Sequence, residues 1–248
     1  MRTVIAIALH KPCAVPDAPP YLPVQAGAAL SPPLGHQRDD AGVHISPRNP
    51  LYCELTVHYW LWKNVAADAY GLCHYRRFFT LHPRRGMAGI LTEAEAEQLL
   101  QTADVLVPRM RPYLIETNRS HYAHAHRASD LDALRDVLAR LHPDYLPAFD
   151  RVMRRRRGRR FNMCIMRREA FQAYSAWLFA LLFALEEHLA GEDIPPRTMG
   201  YLAERLLDVW LEKEKPRIRQ LPVLHTEGEN WPRKITGFLR RKFCPRKM

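Results

Sequence analysis

Residues Gly71 to Phe79 read GLCHYRRFF, an apolar run that passes directly into His74, Tyr75, Arg76 and Arg77. A buried strand ending this way presents three potential cations at its C-terminal end, the edge where open α/β sheets bind ligands. Arginine there suits a phosphate, because its planar fork makes paired, charge-assisted hydrogen bonds. Arg76 and Arg77 would serve equally well in surface ion pairs. Asp39-Asp40, with Gly42 close behind, forms a second constellation. Paired carboxylates hold a divalent metal or the hydroxyls of a ribose, and Asx residues also build turns. The run RRRRGRR at 154–160 is densely basic but comes with no zinc-finger or RNP-type motif and no interleaved aromatics. It reads as a solvated loop, or one facing a phosphate-bearing group, more than as a nucleic-acid motif. His121, His124 and His126 give only His-x-x-His and His-x-His pairs.

No Walker loop, G-x-G-x-x-G, G-x-S-x-G or H-E-x-x-H occurs, so P-loop kinases, hydrolases of the nucleophile-elbow class and nicotinamide enzymes lose their signatures.

The elements that would carry these residues alternate in type. Thr3 to Leu9 (TVIAIAL) is apolar and β-branched, suited to a strand buried on both faces. A Pro-, Gly- and Asp-rich stretch from Pro12 to Pro50 reads as a long loop holding one short strand at Tyr21 to Gln25. Asn49-Pro50 predicts a helix start, with Asn49 as N-cap and the helix running to Lys63. A strand over Asp68 to His74 follows. Thr92 to Glu95 is a capping box for a helix through Gln101, and Ala103 to Val107 is a further strand. Helices are predicted over Ser129 to Leu141 and Tyr145 to Met153. Phe161 to Met166 is a strand, Arg168 to Leu189 and Thr198 to Glu212 are helices, and Ile218 to Leu224 is a last strand. Such alternation implies one α/β domain with a mainly parallel central sheet covered by helices.

The chain has 248 residues, is 47% hydrophobic and carries a formal net charge of +11. The hydrophobic share is that of a globular protein, and the charge points to an anionic partner: phosphate-bearing ligands, an acidic membrane surface or nucleic acid. Five cysteines without a C-x-x-C pair support neither a disulfide framework nor a zinc site, and fit a reducing, cytoplasmic compartment. The longest apolar stretch, Ala176 to Leu185, is about half of the roughly 20 residues a membrane span needs.

Several phrases, in order, resemble one family. They are HKP after the first strand, ISPRNPLYCELTVHYWLWKN, YGLCHYRRFF, SHYAHAHRASDLD, YLPAFDRVM, FNMCIMRREAF, GYLAERLLDVWL and LPVLHTEGENW. The chain is similar to the short glycosyltransferases of bacterial capsule, exopolysaccharide and O-antigen gene clusters, long labelled a domain of unknown function, some of them assigned as galactofuranosyltransferases. The resemblance implies a GT-A-like nucleotide-binding domain over residues 1–231, followed by a basic tail at 232–248. It implies a nucleotide-sugar donor, with uridine diphosphate as the expected carrier, and a lipid-linked glycan acceptor. Nucleic acid would then be no partner, and the enzyme would work at the cytoplasmic face of the inner membrane against its anionic surface.

In such enzymes the nucleotide lies along the first strand's C-terminal edge, which makes His10, Lys11, Asp39, Asp40, His74, Arg76 and Arg77 the expected donor-binding residues. GT-A enzymes usually hold the diphosphate through a metal on a D-x-D motif. The corresponding strand end here reads His74-Tyr75-Arg76, so the expectation is that these cations replace a metal and that no cofactor is needed. A carboxylate must take the acceptor hydroxyl's proton. Glu204 in GYLAERLL is the first candidate and Asp193 the second, with Glu204 otherwise an ordinary helix-surface partner of Arg205 or Asp208. His121, Asn162 and Arg205 stand in family phrases expected near the acceptor. The rival functions are a non-catalytic factor in polysaccharide assembly and a nucleic-acid-binding protein.

Overall fold

The computed structural model describes residues 1–226. The expected boundary at 231 and the basic tail at 232–248 lie outside the described residues. TVIAIAL forms β1 (Thr3–Leu9), buried at every position. Ile5, Ile7 and Leu9 pack on one face of the sheet, while Val4, Ala6 and Ala8 pack on the other. An unbroken apolar run is what a strand covered on both faces requires.

The chain continues through β2 (Tyr21–Gln25), β3 (Gln37–Arg38), α1 (Asn49–Tyr52), α2 (Leu55–Asn64), β4 (Ala69–His74) and β5 (Arg77–Phe79). Then come α3 (Glu93–Thr102), β6 (Val105–Pro108), β7 (Arg111–Pro112), α4 (Asn118–Ala123), α5 (Ser129–Leu141), α6 (Leu146–Arg154) and β8 (Arg157–Gly158). The last described elements are β9 (Cys164–Arg167), α7 (Arg168–His188), α8 (Thr198–Glu214), β10 (Ile218–Leu221) and β11 (Val223–His225).

The sheet runs β10-β6-β9-β4-β1-β2-β3, with β5 and β11 attached beyond the end of β4. Within that path β9 alone is antiparallel to its neighbours, so the sheet is mainly parallel as the alternation of elements predicts. Helix α3 covers the face carrying Ile5, Ile7 and Leu9 through Ala96 and Leu100. Helices α2, α5, α6, α7 and α8 cover the other through a larger core that includes Leu61, Leu134, Phe149, Leu178 and Leu206. From β1 the chain winds outward to β2 and β3, then crosses back to place β4 on β1's other side. A crevice must therefore open between the C-terminal ends of β1 and β4, the topological switch point of the sheet.

Three elements depart from their predicted extents by more than a shift of one or two residues at an end, and each departure shapes that crevice. The helix expected from Asn49 to Lys63 is broken at Cys53, whose φ is +51°. Asn49 does not cap it from the front; its Nδ2 reaches forward to the Cys53 carbonyl (2.8 Å) and the Thr56 hydroxyl (3.1 Å), bridging the break. The restart places Glu54 at the head of α2. The strand expected from Phe161 begins only at Cys164, which frees Phe161 and Asn162 to turn toward the crevice. The last strand is split at Pro222, which has no N–H to give a ladder, so β10 pairs with β6 and β11 with β5.

Candidate active site

β4 and β5 are joined by the two-residue turn Tyr75-Arg76, with His74 and Arg77 paired across it. This turn lies beside the end of β1, so His10 stands 5.4 Å from the Tyr75 ring and 6.3 Å from His74, centroid to centroid. Lys11 and Arg76 both lie over Tyr75, at 5.4 and 5.2 Å. His74 Nδ1 accepts the backbone N–H of Arg76 at 3.3 Å, which leaves the ring proton on Nε2. Burial first, then Arg77 and Arg76, push the His74 pKa down to about 3. His74 is thus a neutral hydrogen-bond donor among cations at any physiological pH. Burial and then Arg76 lower the His10 pKa as well.

Two carboxylates face this cationic edge. Glu204, on α8, has a side chain only 17% exposed and receives a hydrogen bond from Arg205 Nη1 at 2.7 Å. Burial raises its pKa to about 7, Glu54 adds to the rise, and Arg205 and Arg77 oppose it. Glu54 is held by Asn162, whose Nδ2 donates to Glu54 Oε1 (3.0 Å) and to the Gly200 carbonyl of α8 (2.9 Å). Gly200 suits that close approach, since a Cβ there would stand 3.3 Å from Cys53 Sγ. The helix break at Cys53 and the first turn of α8 thereby lock the two carboxylates together. Arg205 is nearly fully buried, donates also to the Tyr201 carbonyl (2.9 Å), and has Nη2 3.5 Å from His121 Nδ1. His121 stacks on Tyr113 at 4.3 Å, and Arg160 lies over the same ring at 5.0 Å. Arg77 stacks on Phe161 at 4.1 Å, and burial with Arg76 lowers its pKa. Around this crevice Arg77 Nε, Arg160 Nε, Arg205 Nε, Asn162 Oδ1 and Tyr113 Oη are buried and have no protein partner. Buried polar atoms without partners are costly, so their convergence at one place marks hydrogen-bonding capacity reserved for a ligand.

The structure thus brings His10, Lys11, His74, Arg76 and Arg77 to one edge, with Asn162, Glu204, Arg205 and His121 facing them. The remaining predicted residues lie apart. Asp39 is fully buried, with its carboxylate accepting from the backbone N–H groups of Gly27 and Ala28 (both 2.9 Å) and from the Ser46 hydroxyl (2.5 Å). It ties together the long loop, where Gly27 takes a φ of +65°. Its lone pairs are spent inside the protein. Asp40 forms a two-pronged pair with Arg38, at 3.0 and 2.6 Å. Neither carboxylate is placed to hold a metal or a ribose. Asp193 stands exposed on the loop before α8, where its backbone carbonyl rather than its side chain meets Arg127 (3.4 Å). Asp39→Ala should therefore lower stability by roughly 2 kcal/mol through lost charge-assisted bonds, leaving ligand affinity unchanged in the surviving folded fraction. A chemical melt alongside a binding isotherm checks both.

The basic run resolves into separate jobs. Arg159 is buried against Asp208 and the Pro108 carbonyl, Arg155 pairs with Glu212, and Arg160 lines the crevice. Asp208 is thus the partner of Arg159, not of Glu204. Of His121, His124 and His126, only His121 belongs to the crevice core: His124 pairs with Glu116 at 2.6 Å and His126 stacks on Tyr201 at 4.0 Å. Sequence reasoning missed Glu54, Tyr113 and Arg197. Arg197 has a φ of +69°, lies over Tyr201, and its charge bears on both His10 and His74. A signal for Glu54 did exist, as it is the only acidic residue between Asp40 and Asp68.

A mainly parallel sheet with a cationic edge at its switch point and a half-buried carboxylate pair facing it makes an α/β protein with a glycosyltransferase's fold. The chain belongs to the family DUF4422, a domain of unknown function, whose model matches residues 4–215. Among solved structures it is similar to the apo structure of the WbbM bifunctional glycosyltransferase, with a TM-score of 0.83 and 28% identity. That likeness covers 92% of this chain and 46% of the other, so the chain spans about half the length of that protein. No curated protein matches it.

Proposed function

We propose that the chain is a glycosyltransferase that moves a hexose from a nucleotide-diphosphate donor to a hydroxyl of a lipid-linked glycan. The observation that carries this reading is the placement of Glu204, a half-buried carboxylate beside Glu54 and opposite Arg77 at the switch point, where desolvation raises its pKa to about 7. A base that ionises near working pH is what abstraction of an acceptor proton needs. The donor's diphosphate would lie against Lys11, Arg76 and Arg77, with His74 Nε2–H as a neutral donor. As the bond from the anomeric carbon to the phosphate oxygen breaks, its electron pair goes to a diphosphate stabilised by fixed cations. The acceptor oxygen bonds to the same carbon and its proton passes to Glu204. Asn162 and Glu54 hold Glu204's surroundings, and His121 with Tyr113 offers a stacking wall for a sugar ring. On this reading the sugar is galactofuranose or galactose carried on uridine diphosphate, and the acceptor is presented at the inner membrane. Among the described residues no helix is long and apolar enough to cross a membrane.

Metal-assisted transfer of the GT-A type does not fit the residues present. The strand end that would carry D-x-D carries cations, and Asp39 and Asp40 are engaged elsewhere. We therefore expect binding and transfer that persist in excess EDTA. A thermal-shift panel of nucleotide diphosphates and nucleotide sugars, with and without EDTA, tests both points. A ligand at 100 times its dissociation constant adds about 2.7 kcal/mol, or several degrees in a chain of this size. No shift with any of these ligands would favour a non-catalytic assembly role. A shift that vanishes in EDTA would return a metal to the diphosphate.

A further inference from the structure

The crevice wall continues into a surface feature that the transfer chemistry does not use. After Tyr113 the chain makes a tight turn, closed by the Glu116 N–H donating to the Tyr113 carbonyl at 3.1 Å. At its tip are Leu114 and Ile115, 75% and 65% exposed, the two most exposed large apolar residues among the described ones. Leu114 also has a φ of +58°. That backbone region is the province of glycine, and a leucine in it is strained. Leu114 is thus unfavourable twice, in conformation and in hydration, and makes no compensating contribution to the core.

The surroundings of this tip are cationic. Strands β7 and β8 pair Pro112 with Arg157, and the Tyr113 N–H donates to the Arg156 carbonyl at 2.8 Å, which brings Arg156 and Arg157 to the base of the turn. Both are exposed, as is Arg109 on the approach. Acidic groups nearby are already engaged: Glu116 is turned inward onto His124 (2.6 Å), and Asp132 pairs with Arg119 (2.7 Å). An apolar pair beside two exposed arginines matches an anionic bilayer surface, where aliphatic side chains enter the acyl boundary and cations meet headgroups. A purely apolar protein surface would bury the leucine but would leave the neighbouring arginines without anions.

We propose that the Leu114-Ile115 turn is a membrane-docking tip that inserts into anionic lipid and brings the crevice mouth, at Tyr113 and His121, against the bilayer. The docking gains a purpose from the transfer reading, whose acceptor is lipid-linked, but vesicle binding needs neither donor nor turnover and so stands or falls alone. The test is cosedimentation of the full chain with phosphatidylglycerol-containing vesicles and with pure phosphatidylcholine vesicles. The chain should bind the former, weaken with salt, and ignore the latter. Leu114→Gly combined with Ile115→Ser should weaken binding at least ~10-fold. Its melting temperature should stay level or rise, because glycine relieves the strained φ. Arg156→Gln combined with Arg157→Gln should weaken binding roughly 30-fold at low salt, about 5-fold for each cation near the surface. Wild-type binding by both double variants would overturn the proposal and move the contact to segment 232–248. Equal binding to neutral vesicles, binding to none, or loss of self-association in place of lipid binding would also overturn it.

Discussion

Glu204→Gln should lower turnover by about 10³-fold, within the range that loss of a positioned general base produces. Gln is the same size and keeps an oxygen to accept from Arg205 Nη1, so the geometry of α8 and the Asn162–Glu54 contact should survive. The pH dependence supplies an independent check. With a pKa raised to about 7, Glu204 is ready to accept a proton only above that value. Wild-type kcat should rise about tenfold per pH unit below 7 and level off above it, and Glu204→Gln should lose that limb. Stability moves the other way. A carboxyl whose folded pKa lies above its ordinary value of 4.5 resists ionisation in the fold. Wild-type stability should therefore fall as pH rises from about 4.5 to about 7, by roughly 3 kcal/mol, and stay level beyond. Glu204→Gln removes that dependence, so at pH 8 it should be at least as stable as wild type while nearly inactive. Retained turnover, or inactivity with a matching loss of stability at pH 8, would remove Glu204 from the chemistry.

The cationic edge proposed for the donor was legible in the sequence because its logic is local. An apolar strand running into His-Tyr-Arg-Arg fixes which residues emerge at its C-terminal end, and a parallel sheet fixes that this end faces the ligand. Glu204 was legible only by resemblance, since i,i+1 and i,i+4 charge pairs on a helix look the same whether solvated or buried. What distinguishes it is tertiary: Arg159 takes Asp208 away, and α1 closes over Gly200. Glu54 was hidden by a helix break that no proline or glycine announces, because Cys53 adopts its positive φ under the hold of Asn49 and α8. Asp39-Asp40 misled for the opposite reason. The pair has the composition of a ligand set, yet a long ordered loop without regular structure must satisfy its own backbone N–H groups, and Asp39 is spent on that.

Arg77→Ala should cut kcat at least ~100-fold, the usual consequence of removing one preorganised charge donor from a developing anion, and Arg76→Ala should act similarly. Folding should persist, because the apolar anchors of β5, Phe78 and Phe79, are untouched and fully buried. Arg77 also has a second influence, which separates two readings of the same loss. Its charge holds down the pKa of Glu204. Without it Glu204 should ionise at higher pH, and the limb of the pH–rate profile should move above 7. Comparing wild type and Arg77→Ala at pH 9, where the base is ionised in both, isolates the leaving-group effect from the effect on the base. Arg77→Lys keeps the charge but not the planar fork, so it should restore the wild-type limb while recovering only part of the rate. Near-normal turnover of Arg77→Ala at pH 9, with only the limb displaced, would mean that Arg77 tunes Glu204 and does not hold the diphosphate. A deficit of ~100-fold that remains at pH 9 would place the guanidinium on the departing phosphate itself.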